Sequence, residues 1–67
     1  MEERIRSPFD ENGEGILRRE YRVIYYRGKR VEYEHLFYVC SETNVGFTTT
    51  EVDTINLNRI IEGYQME

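Results

Sequence analysis

Cys40 is the chain's one cysteine, which excludes an internal disulfide. A single thiol outside any disulfide framework fits a reducing compartment, so the expected location is the cytoplasm. Long apolar runs are also missing. The longest, Leu36 to Cys40, has five residues, far short of the ~20 that cross a bilayer as a helix, and no membrane partner is expected. The N-terminus, Met1-Glu2-Glu3-Arg4-Ile5-Arg6, alternates charge and lacks the apolar stretch of a signal peptide.

Groups that do chemistry are few. His35 and Cys40 are the only soft ligands, too few for a structural zinc site made of cysteine and histidine. Their odd separation on one strand sends them to opposite faces, which argues against a Cys-His nucleophilic pair. Gly13-Glu14-Gly15 lacks the strand–turn–helix setting of a phosphate loop. Thirteen acids are present, but no spacing marks a catalytic pair. The chain therefore reads as non-enzymatic, with no metal and no cofactor.

At 67 residues the chain is one domain. A domain of this size buries only about 60% of the surface its unfolded chain exposes, so its core is marginal. Net charge is −4, which weighs against a dedicated nucleic-acid binder. The charge is unevenly spread, however. Arg18, Arg19, Arg22, Arg27, Lys29 and Arg30 lie within one stretch against a single acid, Glu20. Such a cluster is either a solvated hairpin edge, where cations discourage aggregation, or a binding patch.

Residues 16–26 are rich in β-branched and aromatic side chains and read as a strand, as do residues 30–40. Between them, Gly28 suits a turn. A Gly28-Lys29 loop sets Tyr25 against Glu32. A three-residue loop sets Tyr25 by Val31, Val23 by Tyr33, Tyr21 by His35 and Leu17 by Val39. The second register makes one continuous apolar face and is the one expected. The N-terminal stretch through Glu14 is charged and reads as poorly ordered, with Phe9 as its one anchor. Residues 45–48 form a short third strand with Phe47 inward.

A helix follows over about residues 50–65. Thr48-x-x-Glu51 and Thr50-x-x-Asp53 each have a capping-box form, so it starts at either Thr48 or Thr50. Leu57, Ile60, Ile61 and Tyr64 form one stripe at helical spacing, and Val52 and Ile55 fall nearly opposite. Both faces cannot pack on one flat sheet. The helix bends near Asn56-Leu57-Asn58, or its later turns pack elsewhere, or the sheet curls around it. The expectation leans to the second option, with the stripe at a homodimer interface or against a following domain. The chain ends at Met66-Glu67 without a stop signal, as a piece of a longer protein would.

Six tyrosines are a high share: they serve strand packing, or Tyr25, Tyr26, Tyr33 and Tyr38 stack on bases beside Arg22, Arg27 and Arg30. The packing reading is the simpler one.

The order Ser7-Pro8-Phe9-Asp10, Tyr25-Tyr26-Arg27-Gly28-Lys29-Arg30, Tyr38-Val39-Cys40-Ser41-Glu42-Thr43, then a polar turn and a helix, resembles the N-terminal domain of MqsA-type antitoxins, the YgiT-type zinc finger. That family has a Cys-Pro-x-Cys near the N-terminus, an aromatic–Arg-Gly hairpin and a Cys-x-x-Cys after the second strand. Its cysteines hold a structural zinc. In the type case the domain binds a toxin that cuts mRNA, and a following helix-turn-helix domain binds the promoter. Ser7, Asp10 and Thr43 stand where three of the cysteines would be, and Cys40 keeps the fourth position.

The resemblance implies a metal-free, zinc-finger-like α+β domain: a small antiparallel sheet, led by the 16–40 hairpin with a short third strand, and one C-terminal helix. It implies the N-terminal part of a longer antitoxin-like transcriptional regulator, binding a protein partner such as a cognate toxin. DNA contact would then belong to a C-terminal domain. Arg22, Arg27, Lys29 and Arg30 are the expected partner-binding residues. Leu57, Ile60, Ile61 and Tyr64 are the expected interface. The alternative is a nucleic-acid-binding domain acting through Arg18 to Arg30. In place of zinc, short polar side chains are expected to tether the N-terminal segment by hydrogen bonds.

Overall fold

The computed structural model describes residues 2–65. Met1 and Met66-Glu67 lie outside the described residues, and with them the expectation drawn from the chain's end. Strands β1 (Arg4–Arg6), β2 (Glu14–Tyr26), β3 (Lys29–Cys40) and β4 (Gly46–Phe47) make one antiparallel sheet in the order β1-β2-β3-β4, and helix α1 spans Thr50–Gln65. This is the α+β arrangement expected, with one more strand. Residues 4–6 looked too charged to be ordered, yet Arg4↔Ile16, Ile5↔Gly15 and Arg6↔Glu14 pair β1 to the start of β2.

The β2–β3 register differs from both readings of the turn. Tyr26 pairs with Lys29, so the loop is Arg27-Gly28. Both residues have positive φ, 53° at Arg27 and 79° at Gly28. That is the type I′ geometry whose twist matches the strands it joins. Arg27 thus accepts a left-handed conformation that a non-glycine residue seldom adopts, and this slides the ladder one residue from the apolar match. Tyr21 now faces Glu34, Val23 faces Glu32 and Tyr25 faces Arg30. The three apolar side chains of that β2 face are left in solvent, 67%, 41% and 75% exposed.

The core uses opposite faces of β3 at its two ends. Leu36, Tyr38 and Cys40 are buried near the C-terminal end, Val31 and Tyr33 near the turn. Residues 31 and 36 point to opposite sides of the sheet. Leu36 and Tyr38 cluster with Val52 from the start of α1, and with Ile5, Leu17, Phe47 and Ile55. At the other end Tyr26 meets Tyr64 edge-on, with ring centroids 5.3 Å apart. Gly63 lies so close to Val31 that an added Cβ would sit 2.7 Å from Val31 Cγ1. The helix therefore starts on one face of the curled sheet and ends on the other. That crossing accounts for two apolar stripes on one helix within the single chain.

The crossing is made at the β3 edge. In a two-residue hairpin the pair flanking the turn is hydrogen-bonded, and alternate residues then point their backbone groups outward. On β3 the outward residues include Glu34 and Leu36. Leu36 N–H donates to Asn56 Oδ1 (2.9 Å), and Asn56 Nδ2 donates to Leu36 O (2.8 Å). Arg59 Nη1 donates to Glu34 O (2.8 Å). Side chains of α1 thus occupy places a further strand would fill, and Asn56 is only 5% exposed. The helix is capped by Thr49, whose Oγ1 accepts from Val52 N–H (3.2 Å) and whose carbonyl accepts from Asp53 N–H (2.8 Å). Neither Thr48 nor Thr50 takes that role: Thr49 is the residue before the helix, whose side chain accepts from an otherwise unpaired N–H of the first turn.

Asn56→Ala removes both bonds and strands a buried N–H and C=O, so it should cost about 2–4 kcal/mol. Leu57→Ala, at a half-exposed position, should change stability by no more than about 0.5 kcal/mol. Urea unfolding of the two variants against the parent checks the contrast.

Candidate functional site

Two places draw together residues that the sequence singles out. The first is the joint between the 7–13 loop and the 40–45 loop. Ser7 Oγ donates to Cys40 Sγ at 2.9 Å, and both residues are buried. A Cβ placed on Gly13 would lie 3.1 Å from Cys40 Sγ and 3.4 Å from Asp10 Cβ. Thr43 also hydrogen-bonds Cys40. So Ser7, Asp10, Cys40 and Thr43, far apart in sequence as two pairs, meet at one end of the hairpin.

Ser7, Asp10 and Thr43 each fold their own turn in the same way. Ser7 Oγ accepts from Phe9 N–H (3.1 Å), Asp10 Oδ1 from Asn12 N–H (2.8 Å), and Thr43 Oγ1 from Val45 N–H (3.3 Å). These are Asx- and ST-turns, in which a short polar side chain bonds the backbone two residues on. Ser41 N–H to Glu14 O (2.8 Å) and Glu14 N–H to Ser41 Oγ (2.9 Å) tie the two segments together, and Cys40 N–H to Val45 O (3.0 Å) closes the second loop on itself. Phe9 stands edge-on to Phe47 at 5.6 Å but stays half exposed, so hydrogen bonds hold this segment more than its one aromatic does.

The Ser7 hydroxyl, and then that of Thr43, hold the Cys40 thiol down, to about 7, against burial, which raises it. Cys40 is fully enclosed, so a reagent reaches it only by local opening. Among the described residues no three histidine, cysteine, aspartate or glutamate side chains sit close enough to hold a metal ion. His35 lies on the opposite face from Cys40, stacked on Phe37 at 6.0 Å, with Nδ1 2.9 Å from Tyr33 Oη. Burial, and then the charge of Arg22, lower its pKa, which favours the neutral ring.

The second place is the hairpin. Its six cations do not form one patch. Alternation along the strands puts Arg18, Arg22 and Lys29 on one face and Arg19 and Arg30 on the other, with Arg27 at the turn. Arg22 pairs with Glu20 (2.7 Å) and Arg30 with Glu32 (3.4 Å). Arg27 lies over the Tyr26 ring, 5.6 Å from its centroid. Lys29 reaches the Tyr64 carbonyl (2.8 Å). Of the tyrosines considered for base stacking, Tyr33 and Tyr38 are buried and Tyr26 packs on Tyr64, which leaves Tyr25 open. Of the helix stripe, Leu57 is half exposed, Ile60 and Ile61 are partly buried, and Tyr64 is committed to the contact with Tyr26.

A feature that sequence reasoning missed is the outer edge of β2. Glu3 O accepts from Leu17 N–H (2.8 Å), and there β1 gives out. By the alternation set at the turn, Arg19, Tyr21, Val23 and Tyr25 direct their N–H and C=O outward, and among the described residues no strand lies beside them. The clue in the sequence is the Tyr-x-Val-x-Tyr alternation, which the expected register sets on one continuous apolar face. No protein-family model, no curated protein and no solved structure matches the chain.

Ser7→Ala should cost about 1–2 kcal/mol through loss of a buried hydrogen bond, while a chelator should leave the Tm of the parent protein unchanged. Thermal melts with and without EDTA test both. A clear fall in Tm with EDTA would mean that a metal, not these hydrogen bonds, holds the joint.

Proposed function

We propose that the domain is a non-enzymatic protein-interaction module, the N-terminal part of an antitoxin-like transcriptional regulator, and that it holds its partner through the sheet edge or the basic hairpin. One observation carries the interaction reading. The Arg19–Tyr25 stretch of β2 offers unpaired backbone groups beside Tyr21, Val23 and Tyr25, all exposed. An edge of this kind is a template for strand addition.

The antitoxin part of the reading is supported by the joint at Ser7, Asp10, Cys40 and Thr43. Those are the positions at which the resembling family carries its cysteines; here Ser7 and Thr43 hydrogen-bond Cys40, and Asp10 lies near them across Gly13. The nucleic-acid reading has less support, because the cations are split between two faces and two of them are neutralised by neighbouring acids.

Affinity capture from nuclease-treated host lysate tests the proposal. The expected result is one small host protein retained in stoichiometric amount, with retention reduced about tenfold or more by Arg27→Ala or Tyr25→Ala. Retention of nucleic acid alone, from untreated lysate and in a salt-sensitive way, would overturn it.

A further inference from the structure

We propose that the open edge of β2 pairs with the same edge of a second copy of the chain, antiparallel and two-fold symmetric, with the axis on Val23. The inference rests on the reading of that edge as an interaction surface and narrows it to self-association.

The register follows by elimination. The outward-pointing residues are Arg19, Tyr21, Val23 and Tyr25. Hydrogen-bonded pairs across the new seam must join outward residues to outward residues, so the axis falls on a residue and not between two. An axis on Tyr21 sets Tyr25 of the second copy against Leu17. The Leu17 N–H is already held by Glu3, and the second copy's hairpin tip would run into β1. An axis on Arg22 places that arginine against its own counterpart, and like charges directly opposite are destabilising. An axis on Ile24 carries Tyr21 past the ladder to the Arg27-Gly28 turn and leaves it uncovered.

An axis on Val23 meets none of these obstacles. Val23 faces Val23, and Tyr21 faces Tyr25 of the second copy on either side. The six side chains share one face, and each is at least two-fifths exposed in the single chain. Aromatic pairs across strands are among those that stabilise sheets. On the other face Arg22 lies opposite Ile24 and keeps its own Glu20 at 2.7 Å, and Glu20 lies opposite Tyr26. Inside the ladder no arginine faces another. At each end, just beyond it, Arg19 approaches Arg27 of the second copy. These like charges oppose association, so added salt tightens the dimer, the reverse of its effect on nucleic-acid binding.

Cysteine cross-linking of the purified full chain tests the register. Facing residues of a hydrogen-bonded pair have Cα atoms about 5.5 Å apart, within disulfide range. Native Cys40 is enclosed and stays out of the reaction. Val23→Cys should cross-link to itself under mild oxidation. Tyr21→Cys alone should not, and a mixture of Tyr21→Cys with Tyr25→Cys should cross-link. Sedimentation at rising concentration should show a dimer that tightens with salt and weakens about tenfold or more in Val23→Pro or Val23→Lys, substitutions an edge strand tolerates.

The proposal is overturned if the parent chain sediments as a monomer up to about 1 mM with no cross-link through Val23→Cys. It is equally overturned if Tyr21→Cys cross-links to itself, or if the dimer survives both Val23 substitutions in folded protein, since another surface would then be responsible. These outcomes need no lysate. A failure here leaves capture of a different protein standing, and a failure of capture leaves the dimer standing.

Discussion

The amide of Asn56 touches the backbone of one residue, Leu36, and most of the architecture depends on it. Both hydrogen-bonding groups of that amide are used, one accepting from the strand and one donating to it. They stop the β3 edge where β4 has not yet begun, and they fix the point at which the helix passes from one face of the sheet to the other. Val52 can then fill the space over Leu36 and Tyr38 while Gly63 and Tyr64, further along the helix, lie against Val31 and Tyr26. A domain this small has little apolar area to spare. Wrapping one helix across an edge lets it serve two half-cores on opposite faces of the same hairpin.

An asymmetry follows. The β3 edge is occupied by β4, Asn56 and Arg59, whereas β2 is covered by β1 only at its start. The exposed Tyr21, Val23 and Tyr25 are a direct consequence of the Arg27-Gly28 turn, which sets them against Glu34, Glu32 and Arg30. The same turn therefore determines both the internal ladder and the side chains offered outward. At the far end of the hairpin the joint between the two loops is held by short polar groups. It positions β1, and so marks where the free edge begins.

The hairpin, the helix span and the α+β class were legible in the sequence, because they rest on periodicity and on runs of β-branched and aromatic residues. The register was not. Apolar matching favoured a three-residue loop, but the twist of a type I′ turn outweighed it, at the cost of a non-glycine residue with positive φ. The role of Asn56 was illegible for a related reason: a polar residue inside a helix reads as solvent-facing until an edge is brought beside it. β1 was hidden by its charges, since an edge strand of three residues needs few apolar side chains. The crossing of the helix was visible only as an anomaly, two apolar stripes that no flat sheet could bury. At the candidate site, the contact of Ser7 with Cys40 joins two residues the sequence singled out, while the open edge was hidden by a register that gave Tyr21, Val23 and Tyr25 apolar partners.

Amide hydrogen exchange of the full chain, at a concentration too low for association, tests the central claim that one edge is closed by a side chain and the other is open. The account predicts that the Leu36 amide is among the slowest to exchange. Along β2, Arg22 and Ile24, which bond to β3, should be slow, while Tyr21, Val23 and Tyr25 exchange at nearly unprotected rates. Even protection along β2, or fast exchange at Leu36, would contradict it.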